Sequence, residues 1–244
     1  MIRGCLWGNP FFLFPYWQDN IMKISEQTKE VLKNFSNINQ NLLVKSGTTL
    51  TTMSTMKNIV AKAEVKESFP KEFAIYDLNE FLSALSLFGN PDLDFQENHV
   101  VITEDKTKNR SLKYFYSDPS VIVSPSKDVQ MPKSEVSFEF KQDTFNKVAK
   151  ASAVLGNQDL LLNGSGALSV TDKKNSSANN FSVDVDIKGT GDYKFYFKVE
   201  NLKIIPGDYD VEISSKNISH FTNKSNDKTI QYWIALEPDS SYTE

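Results

Sequence analysis

Residues 73–88 read FAIYDLNEFLSALSLF, and this stretch is the reference point for interpreting the rest of the chain. Its first four residues favour a β-strand, and Asp77 followed three residues later by Glu80 has the spacing of a capping box at a helix N-terminus. Apolar residues then recur at helical spacing until residues 89–91, Gly-Asn-Pro, which typically end a helix. The stretch therefore predicts a strand that passes directly into a helix.

The predicted helix carries very little charge. Its apolar side consists of Leu78, Phe81, Leu82, Leu85 and Phe88. A narrow uncharged stripe on the other side consists of Asn79, Ser83 and Ser86. A helix of this composition must be covered over most of its surface, so we expect its polar stripe to face a water-filled space.

Composition bounds the possible classes of protein. The chain has 244 residues, of which 39% are hydrophobic, enough to build one large domain or two of ordinary size. The formal net charge of -4 argues against a surface that is basic all over, although it allows a local basic patch. The single cysteine, Cys5, permits no internal disulfide and no cysteine metal site, and no apolar run is long enough to cross a membrane.

The first 21 residues differ from the remainder of the chain. Eight large apolar residues, six of them aromatic, crowd between Leu6 and Trp17 and are interrupted by glycine and proline. We expect Met22 to be the natural start and residues 1–21 to be an extension that is disordered or artefactual. The alternative is an aromatic peptide that docks in a hydrophobic groove.

A first helix is predicted from Ser25, a plausible N-cap, to about Asn37. Lys29 and Lys33 lie on the side opposite its apolar face, a placement that by itself is typical of a solvated surface. Strands are predicted after it. Residues 42–44 and 48–54 read as a hairpin, and further strands are expected at 58–66, 100–104 and 111–116.

Residues 117–133 read as a linker, because three prolines and four serines interrupt regular structure. Beyond the linker the pattern of the first half returns. The apolar face Phe145, Val148, Ala149, Ser152 and Leu155 repeats the spacing of Thr28, Val31, Leu32, Phe35 and Ile38, and Lys147 and Lys150 lie opposite it. We therefore expect a second helix whose apolar and lysine-bearing faces are arranged as in the first.

The repeat extends to the end of the chain. A strand at 180–187 is followed by a strand at 194–198 that runs into a short fourth helix at 199–205, which includes Lys203. Two hairpin strands are expected near 209–214 and 229–236. A duplication of this length predicts two similar α+β domains, with boundaries 1–21 for the extension, 22–117, 118–133 for the connector, and 134–244.

Five segments carry a resemblance to the DNA polymerase sliding clamps of T-even-type phages. They are KNFSNIN (33–39), LVKSG (43–47), AIYDLNEFLSALSL (74–87), DPSVIVSPSK (118–127) and YWIALEPDS (232–240), and their order and spacing are kept from Met22 onward. The resemblance implies two topologically similar clamp domains per chain. Three chains would close into a ring with helices inside and sheets outside.

The resemblance also implies a function without catalysis. The chain would encircle double-stranded DNA without sequence preference and tether the replicative DNA polymerase, after loading by an ATP-dependent clamp loader in the cytoplasm of an infected bacterium. Lysines on the inner helices would face DNA: Lys29, Lys33, Lys147, Lys150 and Lys203. Residues of the connector and of the C-terminal strand would accept partner tails: Val121, Ile122, Val123, Pro125, Trp233, Ile234 and Leu236. Edge strands at 111–116 and 181–187 would join neighbouring chains.

No catalytic or cofactor motif is evident. His99 and His220 lie far from cysteine or suitably spaced carboxylates, so we expect no metal site, and Asp77 with Glu80 is explained by helix capping. No nucleotide or organic cofactor is implied. Two alternatives stay open: a β-rich phage structural protein with no DNA role, and an enzyme whose site assembles from dispersed carboxylates. Neither alternative predicts the duplication.

Overall fold

A computed structural model describes residues 21–104, 110–225 and 229–244. The predicted extension lies outside the described residues apart from Ile21, which pairs with Asp94. The elements of the first half are β1 (Ile21–Met22), α1 (Glu26–Ile38), β2 (Leu42–Val44), β3 (Gly47–Met53), β4 (Ile59–Phe69), β5 (Phe73–Ile75), α2 (Leu78–Ser86), β6 (Pro91–Phe95), β7 (His99–Glu104) and β8 (Ser111–Phe115).

The second half begins after the connector. Its elements are β9 (Val136–Phe140), α3 (Gln142–Leu155), β10 (Asp159–Asn163), β11 (Ala167–Thr171), β12 (Phe181–Asp184), β13 (Ile187–Gly189), β14 (Asp192–Lys198), β15 (Tyr209–Ser214), β16 (Ile218–Asn223), β17 (Thr229–Ala235) and β18 (Ser241–Thr243). Two short 3₁₀ turns cover Pro119–Val121 and Val199–Asn201.

The sheet order repeats between the halves and so confirms the predicted duplication. In the first half the strands pair in the order β1-β6-β7-β8, and in the second half β9-β15-β16-β17 pair in the same relative order. β2 pairs with β5, as β10 pairs with β14. The two halves also share one sheet, because β17 pairs antiparallel with β4 over six residue pairs from Thr229 to Ile234. That seven-stranded sheet runs β13-β9-β15-β16-β17-β4-β3.

The strand-to-helix stretch forms as the sequence predicts. The Asp77 side chain accepts hydrogen bonds from the backbone N–H groups of Asn79 and Glu80 at 2.9 and 3.1 Å, which caps α2. The backbone N–H of Glu80 and the amide of Gln40 hold the pKa of Asp77 below its ordinary value, because both favour the charged carboxylate. The carboxylate that looks catalytic in the sequence is thus part of a helix cap.

A second carboxylate fixes the start of α1. Glu67 of β4 accepts a 2.5 Å hydrogen bond from the backbone N–H of Ser25 and another from the Thr28 hydroxyl. Partial burial opposes ionisation of Glu67, but these hydrogen bonds outweigh it and lower its pKa. Glu67 therefore ties the N-terminus of α1 to the sheet on which the helix packs.

Replacing Glu67 with glutamine should destabilise the fold by about 1.5–3 kcal/mol at pH 7, the range for hydrogen bonds to a charged group. Since the folded pKa is lowered, this stability is present above the ordinary value of 4.5 and is lost as pH falls through the folded pKa. Urea unfolding at pH 7 and at low pH checks this. Glu72→Gln, at an exposed side chain in the turn that follows β4, should change stability by only a few tenths of a kcal/mol. Equal effects of both variants at pH 7 would contradict the role of Glu67.

Three strand predictions are wrong. β2 and β3 do not form a hairpin, because Gly47 at φ 108° turns the chain out of the small β2–β5 sheet and into the sheet where β3 pairs with β4. The strand expected at 180–187 is broken into β12, which extends the five-stranded sheet, and β13, which extends the seven-stranded one. The strands β15 and β17 are not neighbours, since β16 lies between them.

The predicted fourth helix at 199–205 is also wrong, so the described residues contain three α-helices. The backbone N–H of Leu202 bonds the Val199 carbonyl at 3.1 Å, which is 3₁₀ geometry and ends the turn. The backbone N–H of Ile205 is taken by the Tyr232 hydroxyl at 3.0 Å instead of by a helical carbonyl. Lys203 therefore lies in an irregular segment and not on a helix.

Candidate functional site

The helices of both halves form one continuous wall. α1 packs against α2, and α3 packs against the 3₁₀ turn Val199–Asn201. The segment after that turn reaches α1, since the side-chain amide of Asn34 donates a 3.0 Å hydrogen bond to the Lys203 carbonyl. The order along the wall is thus α2, α1, the segment 202–205, the 3₁₀ turn and α3, which places all five lysines predicted to face DNA on neighbouring elements.

Two of the five lysines are held in ion pairs on their own helix. Lys29 Nζ lies 2.7 Å from Glu26 Oε1, and Lys147 Nζ lies 2.7 Å from Asp143 Oδ2. Such pairs at the surface contribute little to stability, and their lysines keep only part of their attraction for a distant phosphate.

The other three lysines carry the charge of the wall. Lys33 on α1, Lys150 on α3 and Lys203 in the segment between them are all exposed. None of the three forms an ion pair with another residue in the described parts of the chain. The wall therefore presents three lysines spread over three elements.

The connector is tied to the first half at two points. The side-chain amide of Asn39 donates a 3.2 Å hydrogen bond to the Val123 carbonyl, and Lys62 of β4 lies 3.6 Å from Asp128. Of the connector residues predicted to accept partner tails, Val121 is 53% exposed, Val123 and Pro125 are half-buried, and Ile122 is only 9% exposed.

The C-terminal residues predicted to accept partner tails are mostly interior. Ile234 is fully buried and Leu236 is 5% exposed, and both belong to the hydrophobic core. Trp233 is 9% exposed and stacks on His220, with ring centroids 4.7 Å apart and planes 8° from parallel. The accessible part of this surface therefore consists of Val121, Val123 and Pro125 with one edge of Trp233.

A groove beside the connector was not anticipated from the sequence. A cavity of about 300 Å³ lies between the connector and strands β3 and β4, and three lysines line it: Lys45, Lys62 and Lys127. A second cavity of about 180 Å³ continues from it to Trp233. The lysines are 17 and 65 residues apart along the chain, so no local pattern brings them together.

β8 and β12 are two of the edge strands within the described residues. β8 pairs only with β7, and β12 pairs only with β11, as the sequence predicts for these segments. Phe115 on β8 is 63% exposed. Beside β12 lies an apolar hollow of about 340 Å³, whose lining includes Phe181 and Val154, the latter 73% exposed. Unpaired edges flanked by apolar side chains favour association.

Among the described residues no cluster of histidine, cysteine and carboxylate side chains is suited to a metal ion. No helix in the same residues is long and apolar enough to cross a membrane.

Two families match the chain in succession. Residues 25–124 match the family described as DNA polymerase processivity factor, and residues 137–238 match the family described as gp45 sliding clamp, C terminal. The gap between the two matches coincides with most of the connector.

Curated relatives match over nearly their whole length. A sliding clamp of Vibrio phage KVP40 is 38% identical over 225 residues, which is 88% of this chain and 99% of the relative. The sliding clamps of Escherichia phage RB69 and Enterobacteria phage T4 are 28% and 27% identical, each over 91% of this chain and 99% of the relative.

Solved structures share the fold at low sequence identity. Proliferating Cellular Nuclear Antigen from Entamoeba histolytica has a TM-score of 0.64 at 14% identity and covers 89% of this chain and 98% of its own. A PCNA2-PCNA3 complex from Sulfolobus tokodaii has a TM-score of 0.65 at 10% identity, with 89% of this chain and 99% of that chain covered.

Proposed function

The chain belongs to the sliding-clamp family of DNA polymerase processivity factors, and we propose that its wall of helices encircles duplex DNA inside a ring of three identical chains. As a member of this family it is a non-enzymatic accessory protein of phage DNA replication. The observation that carries the proposal is the continuous wall from α2 to α3, on which Lys33, Lys150 and Lys203 carry charges not paired with described residues.

The chemistry of the wall suits sliding. Phosphate contacts attract and orient a duplex but read no sequence, whereas specificity requires contacts to base edges. Exposed lysines spread along the wall attract phosphates at a distance and hold none of them in a fixed geometry. A collar built from three such walls would therefore retain DNA and let it move.

Ring closure would use the edges of β8 and β12. β8 of one chain would pair with β12 of the next, placing Phe115 against the apolar hollow that includes Val154 and Phe181. A contact between two different surfaces repeats head to tail and closes into a ring when the rotation per chain allows it. The two edges belong to different halves of the chain, as such a contact requires.

Partners would dock on the outside of the ring. The exposed connector residues and the edge of Trp233 would accept apolar tails of the DNA polymerase and of the ATP-dependent clamp loader, in the cytoplasm of the infected host. Short apolar peptides commonly bind beside such extended segments. Because Ile122, Ile234 and Leu236 are interior, they would support this surface from beneath.

Reversing the charge of Lys33 and Lys150 to glutamate should shorten polymerase run length several-fold, because the collar would then repel phosphates. Folding should change little, since exposed charges contribute little to stability. Light scattering has to accompany the assay, because Lys150 also lines the hollow beside β12 that is assigned to the contact between chains. The measurement is primer extension on singly primed circular DNA with the cognate polymerase and loader. The matched control is Lys66→Glu with Lys194→Glu, two exposed lysines on β4 and β14. An unchanged run length in the Lys33→Glu, Lys150→Glu variant would contradict the prediction that these lysines face DNA.

A further inference from the structure

An acidic side chain occupies the same position in the first turn of both repeat helices. Glu26 begins α1, and the exposed Lys33 follows seven residues later. Asp143 is the second residue of α3, and the exposed Lys150 follows at the same spacing, each 117 residues after its counterpart in the first half. Seven residues make almost two helical turns and rise about 10.5 Å, so the acid and the lysine lie on one side of their helix.

Each of these acids holds a different lysine in an ion pair. Lys29, whose Nζ lies 2.7 Å from Glu26 Oε1, is three residues after its acid. Lys147, whose Nζ lies 2.7 Å from Asp143 Oδ2, is four residues after its acid. The position of the acid is therefore repeated between the halves, and the position of the paired lysine is not.

The starts of both helices are capped by other residues. The backbone N–H of Thr28 in α1 donates to Ser25 Oγ at 3.3 Å, and the backbone N–H of Gln142 in α3 donates to Asp208 at 2.8 Å. A carboxylate in the first turn also favours a helix through the helix dipole, but this effect is small at an exposed site. What the two acids change most is the charge that the wall presents.

The two ion pairs lower the positive charge of the wall. The five lysines predicted to face DNA carry five charges, and the two paired carboxylates reduce the net charge of these side chains to three. A phosphate about 10 Å away, one Debye length at roughly 0.1 M salt, experiences such an ion pair as nearly neutral. The wall therefore makes fewer phosphate contacts at one time than its lysines would allow.

We propose that Glu26 and Asp143 limit the hold of the wall on DNA and thereby set the speed at which the ring slides. The proposal rests on the function given above, and the two acids act through the lysines that they neutralise. Each phosphate contact that forms has to be broken again before the duplex can move, with return of its counterions. Fewer simultaneous contacts lower the barrier between neighbouring positions of the ring on DNA.

Diffusion of labelled rings on stretched duplex DNA tests the proposal. The full chain with Glu26→Gln and Asp143→Asn is loaded by the cognate loader and tracked by single-molecule fluorescence. We expect roughly a fivefold lower diffusion coefficient than for the parent, because the released lysines add phosphate contacts. The difference should shrink as the salt concentration is raised. Adding Lys29→Gln and Lys147→Gln to this variant should reverse most of the slowing.

The matched control removes two acids that pair with a lysine away from the wall. Glu139 and Asp210 lie 3.1 and 3.5 Å from Lys224 Nζ. Phe140, next to Glu139 on β9, contacts Phe145 of α3, so alternation along the strand puts Glu139 on the face of the sheet away from that helix. Glu139→Gln with Asp210→Asn changes the charge by the same amount and should slide like the parent.

Light scattering has to show the same oligomer for each variant, because Lys147 also lines the hollow beside β12. Glu26→Gln alone leaves that hollow untouched, and it should lower the diffusion coefficient roughly twofold.

An unchanged diffusion coefficient in Glu26→Gln and in the Glu26→Gln, Asp143→Asn variant would overturn the proposal, as would an equal decrease in the control. Slowing that persists in full after Lys29→Gln and Lys147→Gln are added would also overturn it, because the lysines would then not be its cause. These failures leave the clamp function standing, since retention of the parent protein on DNA and its stimulation of polymerase run length measure that function separately.

Discussion

Phe115→Asp combined with Val154→Asp should convert the proposed trimer to monomers. Phe115 and Val154 are 63% and 73% exposed in the isolated chain and flank the edges of β8 and β12. Burial of each side chain against a neighbouring chain is worth about 1.5–3 kcal/mol, so losing both lowers the affinity of every contact by at least about a hundredfold. Replacement by carboxylates adds the cost of removing charge from water.

Light scattering over a range of protein concentrations measures this effect. The matched control is Met56→Asp, which places the same charge on an apolar side chain that is 82% exposed in the turn between β3 and β4. That variant should remain a trimer. Circular dichroism of both variants should show the fold of the parent protein, because none of the three side chains belongs to the core. A trimer that persists in the double variant would show that the ring closes through other surfaces.

Tyr232→Phe should cost about 2–4 kcal/mol of stability, the largest effect expected from removal of a single atom. The buried Tyr232 hydroxyl donates to Asn34 Oδ1 at 2.9 Å and accepts from the backbone N–H of Ile205 at 3.0 Å. Asn34 in turn donates to the Lys203 carbonyl. Loss of the hydroxyl leaves a buried donor and a buried acceptor unsatisfied, each costing about 1–3 kcal/mol.

The effect should be global because this network joins the two halves. Urea unfolding measures it, and Tyr76→Phe is the control, since Tyr76 is 61% exposed. Burial also raises the pKa of Tyr232, so the hydroxyl stays protonated throughout the neutral range and its contribution should not vary with pH there. A change in stability equal to that of Tyr76→Phe would mean that water replaces the lost hydroxyl at this junction.

Local signals in the sequence were sufficient for the helices α1, α2 and α3. An apolar period near 3.6 marks all three, and the caps of α1 and α2 at Ser25 and Asp77 are where the sequence predicts them, whereas α3 begins without a side-chain cap. The segment 199–205 has the same apolar spacing but fails as a helix. The reason is tertiary: the Tyr232 hydroxyl, on a strand near the end of the chain, takes the Ile205 N–H.

Strand pairing was predicted less well, because it depends on contacts between distant residues. β6 begins at Pro91, which reads as a helix terminator in the sequence, although proline is also tolerated at the first residue of a strand. The corner at Gly47 looks like a hairpin turn because both use glycine at positive φ. In neither case does the local sequence distinguish the two outcomes.

The candidate sites also contain residues that local sequence predicts and residues that only distant contacts bring together. The phase of the helices predicts that Lys33 and Lys150 are exposed, and the structure places them on adjoining elements of one wall. The connector groove was missed, because Lys45, Lys62 and Lys127 come together only when the connector crosses β3 and β4. Burial of Ile234 and Leu236 likewise depends on the strands around them, which the sequence alone did not order.

The shared seven-stranded sheet has a mechanical consequence. A ladder of backbone hydrogen bonds joins β4 and β17. The two halves of a chain therefore behave as one rigid body and not as two bodies on a hinge. Strain applied to a closed ring would concentrate at the contacts between chains, where short edge strands of four and five residues meet. The proposed ring would therefore open at a contact between chains, and each chain would stay intact.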